Sequence, residues 1–189
     1  MSVDDRAAFA ATVAQESAAQ AVDPRVREVT REWMNATQPY HYSYHFTWLG
    51  LPIIQYPPDI VALQELVWQV NPDLIIETGV ARGGSLILSA SLLALLDLTE
   101  AAMDGVSIDP ANPVRRVVGI DIDIRPHNRS AIESHPFSKR ITLIEGSSTD
   151  PDVVATVSAI AGQHRRVMVL LDSNHTHAPV LAELEAYSP

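Results

Sequence analysis

The sequence predicts an α/β fold: a three-layer, doubly wound parallel sheet with helices ahead of it. Three observations predict it. Runs such as Leu74 to Thr78 and Val167 to Leu171 are apolar without alternation, as in strands covered on both faces. Helical segments follow these runs, so strand and helix alternate. Acids or small polar residues close each run, at the strand end where doubly wound folds bind ligands.

The elements are justified in chain order. Asp4 to Asn35 reads as two helices. Asp4 to Ala21 is rich in Ala, Gln and Glu, which are good helix formers, but has few large apolar residues to dock it. Asp23-Pro24 is a helix start, with Asp as N-cap and Pro at the first helical position. Val26, Val29, Trp33 and Met34 then share one face. The aromatic stretch from Pro39 to Tyr56 has too many breaks to assign. From Pro58-Asp59 a helix runs with Ile60, Leu63, Val67 and Val70 at steps of three and four, and Asn71-Pro72-Asp73 ends it. Leu74 to Thr78 is the first strand. Gly83 to Leu98 is a helix apolar on most sides, hence buried. Thr99 to Arg116, with Gly105, Pro110 and Pro113, reads as a loop insertion. Val117 to Ile122, Ile141 to Ile144 and Val167 to Leu171 are strands two to four. Pro151 to Ala161 and His177 to Tyr187 are helices.

Composition narrows the function classes. The 189 residues fit one domain of ordinary size, and 47% of them are hydrophobic, enough for a core. A formal charge of −10 repels phosphate backbones and argues against nucleic-acid binding. Zero cysteine removes disulfides, thiolate metal sites, iron–sulfur clusters and a cysteine nucleophile. The opening M-S-V-D-D-R is acidic and has no signal-peptide character, and Leu86 to Leu98 is too short and polar to span a bilayer. The expectation is a cytoplasmic protein with no membrane span that forms homo-oligomers.

The strand ends carry the chemistry. The first runs into E-T-G-V-A-R-G-G, Glu77 to Gly84. Gly79 permits a sharp turn, and Gly83 and Gly84 let a helix begin close to a ligand, with free N–H groups for an anion. The G-x-x-x-G-G spacing fails the dinucleotide fingerprint at its second glycine and lacks the Lys of a P-loop. The second strand ends in G-I-D-I-D. A carboxylate there can accept both ribose hydroxyls; Asp121 is the candidate, with Asp123 as a helix cap or exposed charge. The gap back to Glu77 exceeds the usual ~20 residues, and the insertion accounts for it. The third strand runs into E-G-S-S, where Ser147 or Ser148 can bond a ligand through hydroxyl or backbone N–H or cap the next helix; in the plan of class I methyltransferases, which this order of strand ends resembles, the turn lies beside an adenine ring. The fourth ends in L-L-D-S-N-H-T-H. Asp172 suits a hard cation such as Mg²⁺, and His175 a general base. His177 reads as a first-turn residue rather than a zinc ligand. The Tyr40 to Trp48 segment is either a lid over a substrate pocket or a core staple, and Gln55 to Asp59 lies close enough in sequence to approach the same cleft.

These motifs together resemble the cephalosporin hydroxylase family, whose fold is that of class I S-adenosylmethionine (SAM) methyltransferases and which includes rhamnosyl and other sugar O-methyltransferases. The likeness runs from about Phe46 to Pro189 through F-T-W-L-G-L-P-I-I-Q, P-D-L-I-I-E-T-G-V-A-R-G-G-S, V-V-G-I-D-I-D-I-R, I-T-L-I-E-G-S-S and L-D-S-N-H-T-H. It implies SAM binding by Glu77, Gly79, Gly83, Ser85, Asp121 and Ser147 or Ser148. It implies Mg²⁺ at Asp172, with further ligands past Pro189, and an O-methyltransferase acting on a hydroxyl of a sugar or secondary metabolite. Ser173 stands where some relatives carry a second acid. Two other readings stay open: an accessory component of β-lactam hydroxylation or methoxylation, and a non-catalytic SAM-fold binding module. The expected organisation is helices and an aromatic arm over 1–57 and a Rossmann-like SAM domain over 58–189. Only four of seven expected strands are found, in the order 3-2-1-4, so the sheet is expected to be truncated after the fourth, with Val167 to Leu171 as an open edge.

Overall fold

The computed structural model describes residues 3–188. Met1, Ser2 and Pro189, which enter the readings of the N-terminus and of the chain's end, lie outside the described residues. The chain divides into two compact units, Met1–Tyr42 and Ser43–Pro189. The aromatic segment therefore goes with the sheet from Ser43 onward, and the unit boundary falls earlier than position 57.

The first unit holds helices α1 (Val3–Val22) and α2 (Pro24–Thr37). Asp23 caps α2 as the sequence predicts: its Oδ1 accepts the backbone N–H groups of Arg25 at 2.7 Å and Val26 at 3.2 Å. Trp33 meets Tyr42 edge to face, with ring centroids 5.1 Å apart.

The second unit opens with a hairpin of β1 (Phe46–Trp48) and β2 (Leu51–Ile53). Helix α3 (Pro57–Val70) follows, and Asn71 ends it in the left-handed region. Then come β3 (Leu74–Thr78), α4 (Gly84–Asp104), β4 (Arg116–Asp121), α5 (Pro126–Glu133), β5 (Ile141–Glu145), α6 (Pro151–Ala161), β6 (Val167–Leu171) and α7 (His177–Tyr187). The four long strands form one parallel sheet in the order β5-β4-β3-β6. That is the predicted 3-2-1-4 order of a doubly wound sheet. Strand β6 pairs with β3 on one side and has no strand on the other among the described residues.

Each central strand feeds two cores. Ile75 and Val117 point to one face, where they meet Leu86, Ile87 and Leu93 of α4, Val67 of α3, Leu51 and Ile53 of the hairpin, and Ile132 of α5. Leu74, Ile76, Val118 and Ile120 point to the other, against Val157 of α6 and Tyr187 of α7. Burial on both faces is why these strands read as continuous apolar runs.

Two expectations are corrected. Helix α4 continues through Thr99 to Asp104, and Gly105 stops it in the left-handed region with its N–H on the Ala101 carbonyl. The expected loop is thus shorter, because nothing before Gly105 breaks the helix. Of the two readings of Asp123, the exposed charge holds, since α5 begins after Arg125. By length and composition α4 is also apolar enough to cross a membrane, contrary to the reading of Leu86 to Leu98. Twelve of its residues are buried in this unit's core, so it serves here as a core helix. Its polar Asp97 is matched: the buried carboxylate holds Arg115 at 2.5 Å and Arg140 at 2.6 Å.

Candidate active site

The carboxyl ends of the sheet strands form a hydrogen-bonded rim. Beyond the strands themselves, the Gly79 N–H donates to the Ile120 carbonyl at 2.8 Å, Gly146 N–H to Asp121 at 2.9 Å, and Asp172 N–H to Thr78 at 2.9 Å. The loops after β3, β4, β5 and β6 are thereby brought side by side. Gly79 has φ +91°, and a Cβ there would lie 2.7 Å from the Asp172 carbonyl carbon. Only glycine lets these two loops touch.

Two cavities open on this rim. One, of about 590 Å³, is lined by Ala81, Asp121, Ser147, Ser148, Asn174 and Glu183. The other, of about 470 Å³, is lined by Tyr44, Gln55, Arg82, Gly83, Ser85 and His175. Gly79, Ala81, Asp172 and Ser173 border both. Every predicted site residue except Glu77 thus lines one cavity or the other.

Glu77 lies behind the glycine turn with 1% of its surface exposed. The Ser85 hydroxyl donates to its Oε1, and Ser89 approaches Oε2 at 3.4 Å. Burial pushes its carboxyl up to about 7, and the Asp172 charge adds to this, against the two serine hydroxyls. Such a group accepts a cation or holds a proton.

Asp121 has a task the sequence did not disclose. Its Oδ2 accepts the N–H groups of Val80 at 2.8 Å and Ala81 at 3.2 Å, and Oδ1 that of Asp123 at 3.2 Å. Three of roughly four acceptor positions on the carboxylate are occupied. Asp121 therefore fixes the glycine turn, in which Ala81 itself has a positive φ of 45°, and leaves about one position for a ligand hydroxyl.

Gly83 and Gly84 are explained as much by packing as by ligand approach. A Cβ on Gly83 would strike Ile132, and one on Gly84 the Pro52 carbonyl. The aromatic segment divides between its two readings. Trp48 and Phe46 pack on the core, and the Trp48 indole donates to Ser91 at 2.9 Å. Tyr44 lines the smaller cavity.

Asp172 is half-buried, and burial raises its carboxyl above the usual range while His175 opposes the shift. His175 Nε2 stands 3.5 Å from Asp172 Oδ1 and is 79% exposed. The Gln55 amide donates to Asp172 Oδ2 at 3.4 Å, so the β2–α3 connection does reach this cleft. His177 begins α7, as expected. Among the described residues no three His, Cys, Asp or Glu are grouped to hold a metal ion. Asp172 is a carboxylate of the kind that holds Mg²⁺ with water completing the octahedral shell, and Gln55 adds an amide beside it.

Glu183 was missed by sequence reasoning. It is 1% exposed, and its Oε1 accepts the hydroxyls of Ser148 at 2.5 Å and Ser173 at 2.6 Å. It sits in a Glu-Leu-Glu run that reads as a solvated helix face, and both partners are remote or in a loop.

A family model for the rhamnosyl O-methyltransferase/CmcI family matches residues 40–189. The chain belongs to this family. Rhamnosyl O-methyltransferase/CmcI relatives include the rhamnosyl O-methyltransferase of Mycobacterium leprae, 24% identical over 144 residues, which are 76% of this chain and 54% of that protein. The rhamnosyl O-methyltransferase of Mycobacterium tuberculosis is 23% identical over 147 residues, 76% of this chain and 51% of that protein. The chain spans about half the length of these curated relatives. Among solved structures, a TDP-rhamnose 3'-O-methyltransferase of calicheamicin biosynthesis superposes with a TM-score of 0.50 at 26% identity, over 70% of this chain and 57% of that one. The sheet described above is the four-stranded parallel part of the class I methyltransferase fold.

Proposed function

We propose that this chain binds SAM on the strand rim and transfers its methyl group to a hydroxyl of a sugar or of a sugar-bearing secondary metabolite. One observation carries the reading. The buried carboxylate of Glu77 sits behind a glycine turn between two cavities, one edged by Asp121, Ser147 and Ser148, the other by Asp172 and His175.

The residues fit the cofactor. We assign the ammonium group to Glu77; that charge would draw its raised carboxyl back into the ionised form. Asp121 has about one acceptor position left for a ribose hydroxyl. The 590 Å³ cavity has the volume of an adenosyl-sized ligand site. Bound there, the cofactor supplies an electrophilic methyl carbon on a sulfonium. The protein's own work is on the acceptor. His175, oriented by Asp172, takes the hydroxyl proton as the oxygen–methyl bond forms and the sulfur–methyl bond breaks. The leaving sulfur becomes a neutral thioether, so charge is conserved. Holding the oxygen ~3–3.5 Å from the methyl carbon contributes much of the rest.

The test is calorimetry with S-adenosylhomocysteine (SAH) and a methyl-transfer assay on rhamnosylated acceptors. Asp172→Ala should retain SAH binding and lose transfer. Absence of SAH binding by the wild-type chain would sink the proposal. A binding module without turnover is favoured by one observation, that among the described residues no three His, Cys, Asp or Glu are grouped around Asp172. Wild-type SAH binding with no transfer to any acceptor would select it.

A further inference from the structure

Glu183 is a buried carboxylate whose arrangement goes beyond what a structural strut needs. Its Oε1 ties the loop after β5 to the loop after β6, through Ser148 and Ser173. One turn later on α7, the Tyr187 hydroxyl donates to the Ser148 carbonyl at 2.5 Å. The other oxygen, Oε2, is buried and accepts no hydrogen bond. Folded proteins seldom leave a buried acceptor unmatched, and less often a carboxylate. A hydroxyl or an amide at this position would tie the same two serines with less desolvation. The residue also lines the 590 Å³ cavity, beside Ser147, Ser148 and Asn174.

The vacant acceptor calls for a ligand N–H or O–H. On the SAM reading, which this inference rests on, the cofactor's donors can be assigned in turn. The ammonium faces Glu77 and a ribose hydroxyl faces Asp121. The other ribose hydroxyl and the exocyclic amine of the adenine ring remain, and Glu183 lines the cavity beside Ser147 and Ser148, the pair expected at the adenine edge, rather than beside the turn that Asp121 holds. The Ser148 hydroxyl, a sequence candidate for reading that edge, is already committed as a donor to Glu183. We infer that Glu183 selects the nucleobase: its free oxygen accepts the exocyclic amine of adenine and rejects a base that presents a carbonyl there.

The experiment compares SAH with S-inosylhomocysteine, in which a carbonyl replaces that amine, by titration calorimetry on the full chain. A hydrogen bond to a charged acceptor corresponds to roughly 10- to 100-fold in affinity. The wild-type chain is expected to bind SAH at least ~10-fold more tightly than the inosyl compound. In Glu183→Gln an amide N–H can face the carbonyl, and the ratio should fall to within about threefold. A purely structural role would weaken both ligands together and leave the ratio unmoved, which would overturn the inference. So would equal binding of the two by the wild type. If Glu183→Gln does not give a folded circular dichroism spectrum, Ser148→Ala decides instead. It leaves the free oxygen in place, so discrimination should persist; its loss would assign the selection to Ser148 and overturn the inference. Binding of neither ligand by the wild type refutes the cofactor reading and the inference with it, whereas equal binding refutes the inference alone.

Discussion

Replacing Glu77 with Gln should change how stability depends on pH. The carboxyl is fully buried, and desolvation raises it from 4.5 to about 7. In the unfolded chain it ionises near its ordinary value. Between pH 4.5 and 7 the folded protein therefore holds a proton that the unfolded chain has lost. Unfolding releases that proton, so stability from this group is complete below about pH 4.5 and is lost as pH rises through about 7. One pKa unit corresponds to ~1.4 kcal/mol, so the full span is about 3 kcal/mol. Gln has no proton to release. Its stability relative to the wild type should rise by about 2–3 kcal/mol from pH 5 to pH 8. Urea titrations at pH 5, 6, 7 and 8 on both proteins measure this. The difference between the two curves isolates Glu77 from the histidines, which titrate in both. Parallel curves would refute the reasoning and place the ionised carboxylate in the unliganded protein. The same coupling acts on the ligand: a cation beside Glu77 expels the proton, so SAH should bind the wild type more tightly at pH 8 than at pH 6.

Three further outcomes are expected. Gly79→Ala forces a side chain into the left-handed region and against the Asp172 carbonyl; it should cost at least ~2 kcal/mol of stability, measured by urea unfolding, and weaken SAH binding by calorimetry. Asp97→Ala leaves Arg115 and Arg140 buried without their shared acid; a loss of ~3–5 kcal/mol is expected from denaturant unfolding. Leu93→Ala opens a cavity in a fully buried part of α4 and should cost ~2–5 kcal/mol, measured the same way, without moving the SAH affinity of the protein that remains folded.

The sheet was legible because its strands are covered on both faces and each ends in punctuation. Leu74 to Ile76 and Val117 to Val118 of the central strands are apolar and buried whichever way the chain points, and Thr176 and Asp150 lie just ahead of the helices that follow the outer strands. The hairpin was not legible. Its strands are three residues long, Pro52 argues against a strand, and its turn puts Leu49 at φ 45° before Gly50 at φ 96°, without the Asn-Gly or Asp-Gly signal. Helix α5 is eight residues long and dominated by His, Asn, Arg and Ser, too short to show a period. At the candidate site, residue types at strand ends singled out Glu77, Asp121 and Asp172. The sequence did not disclose where their hydrogen bonds go. Asp121 serves the backbone of a loop some forty residues earlier, and Glu183 joins two serines across 35 and 10 positions. Such pairings depend on which loops the sheet order brings together, and no local pattern encodes that.

The rim hydrogen bonds of Gly79, Gly146 and Asp172 have a mechanical meaning. Loops at the ends of strands usually fluctuate on their own, each opening at little cost. Here each begins with an amide held by the neighbouring strand, so none can lift away without tearing the ladder beside it. The binding surface is stiff before any ligand arrives, and little ordering is left to be done on binding. Those three amides should exchange with solvent deuterium as slowly as the strands below them, and together.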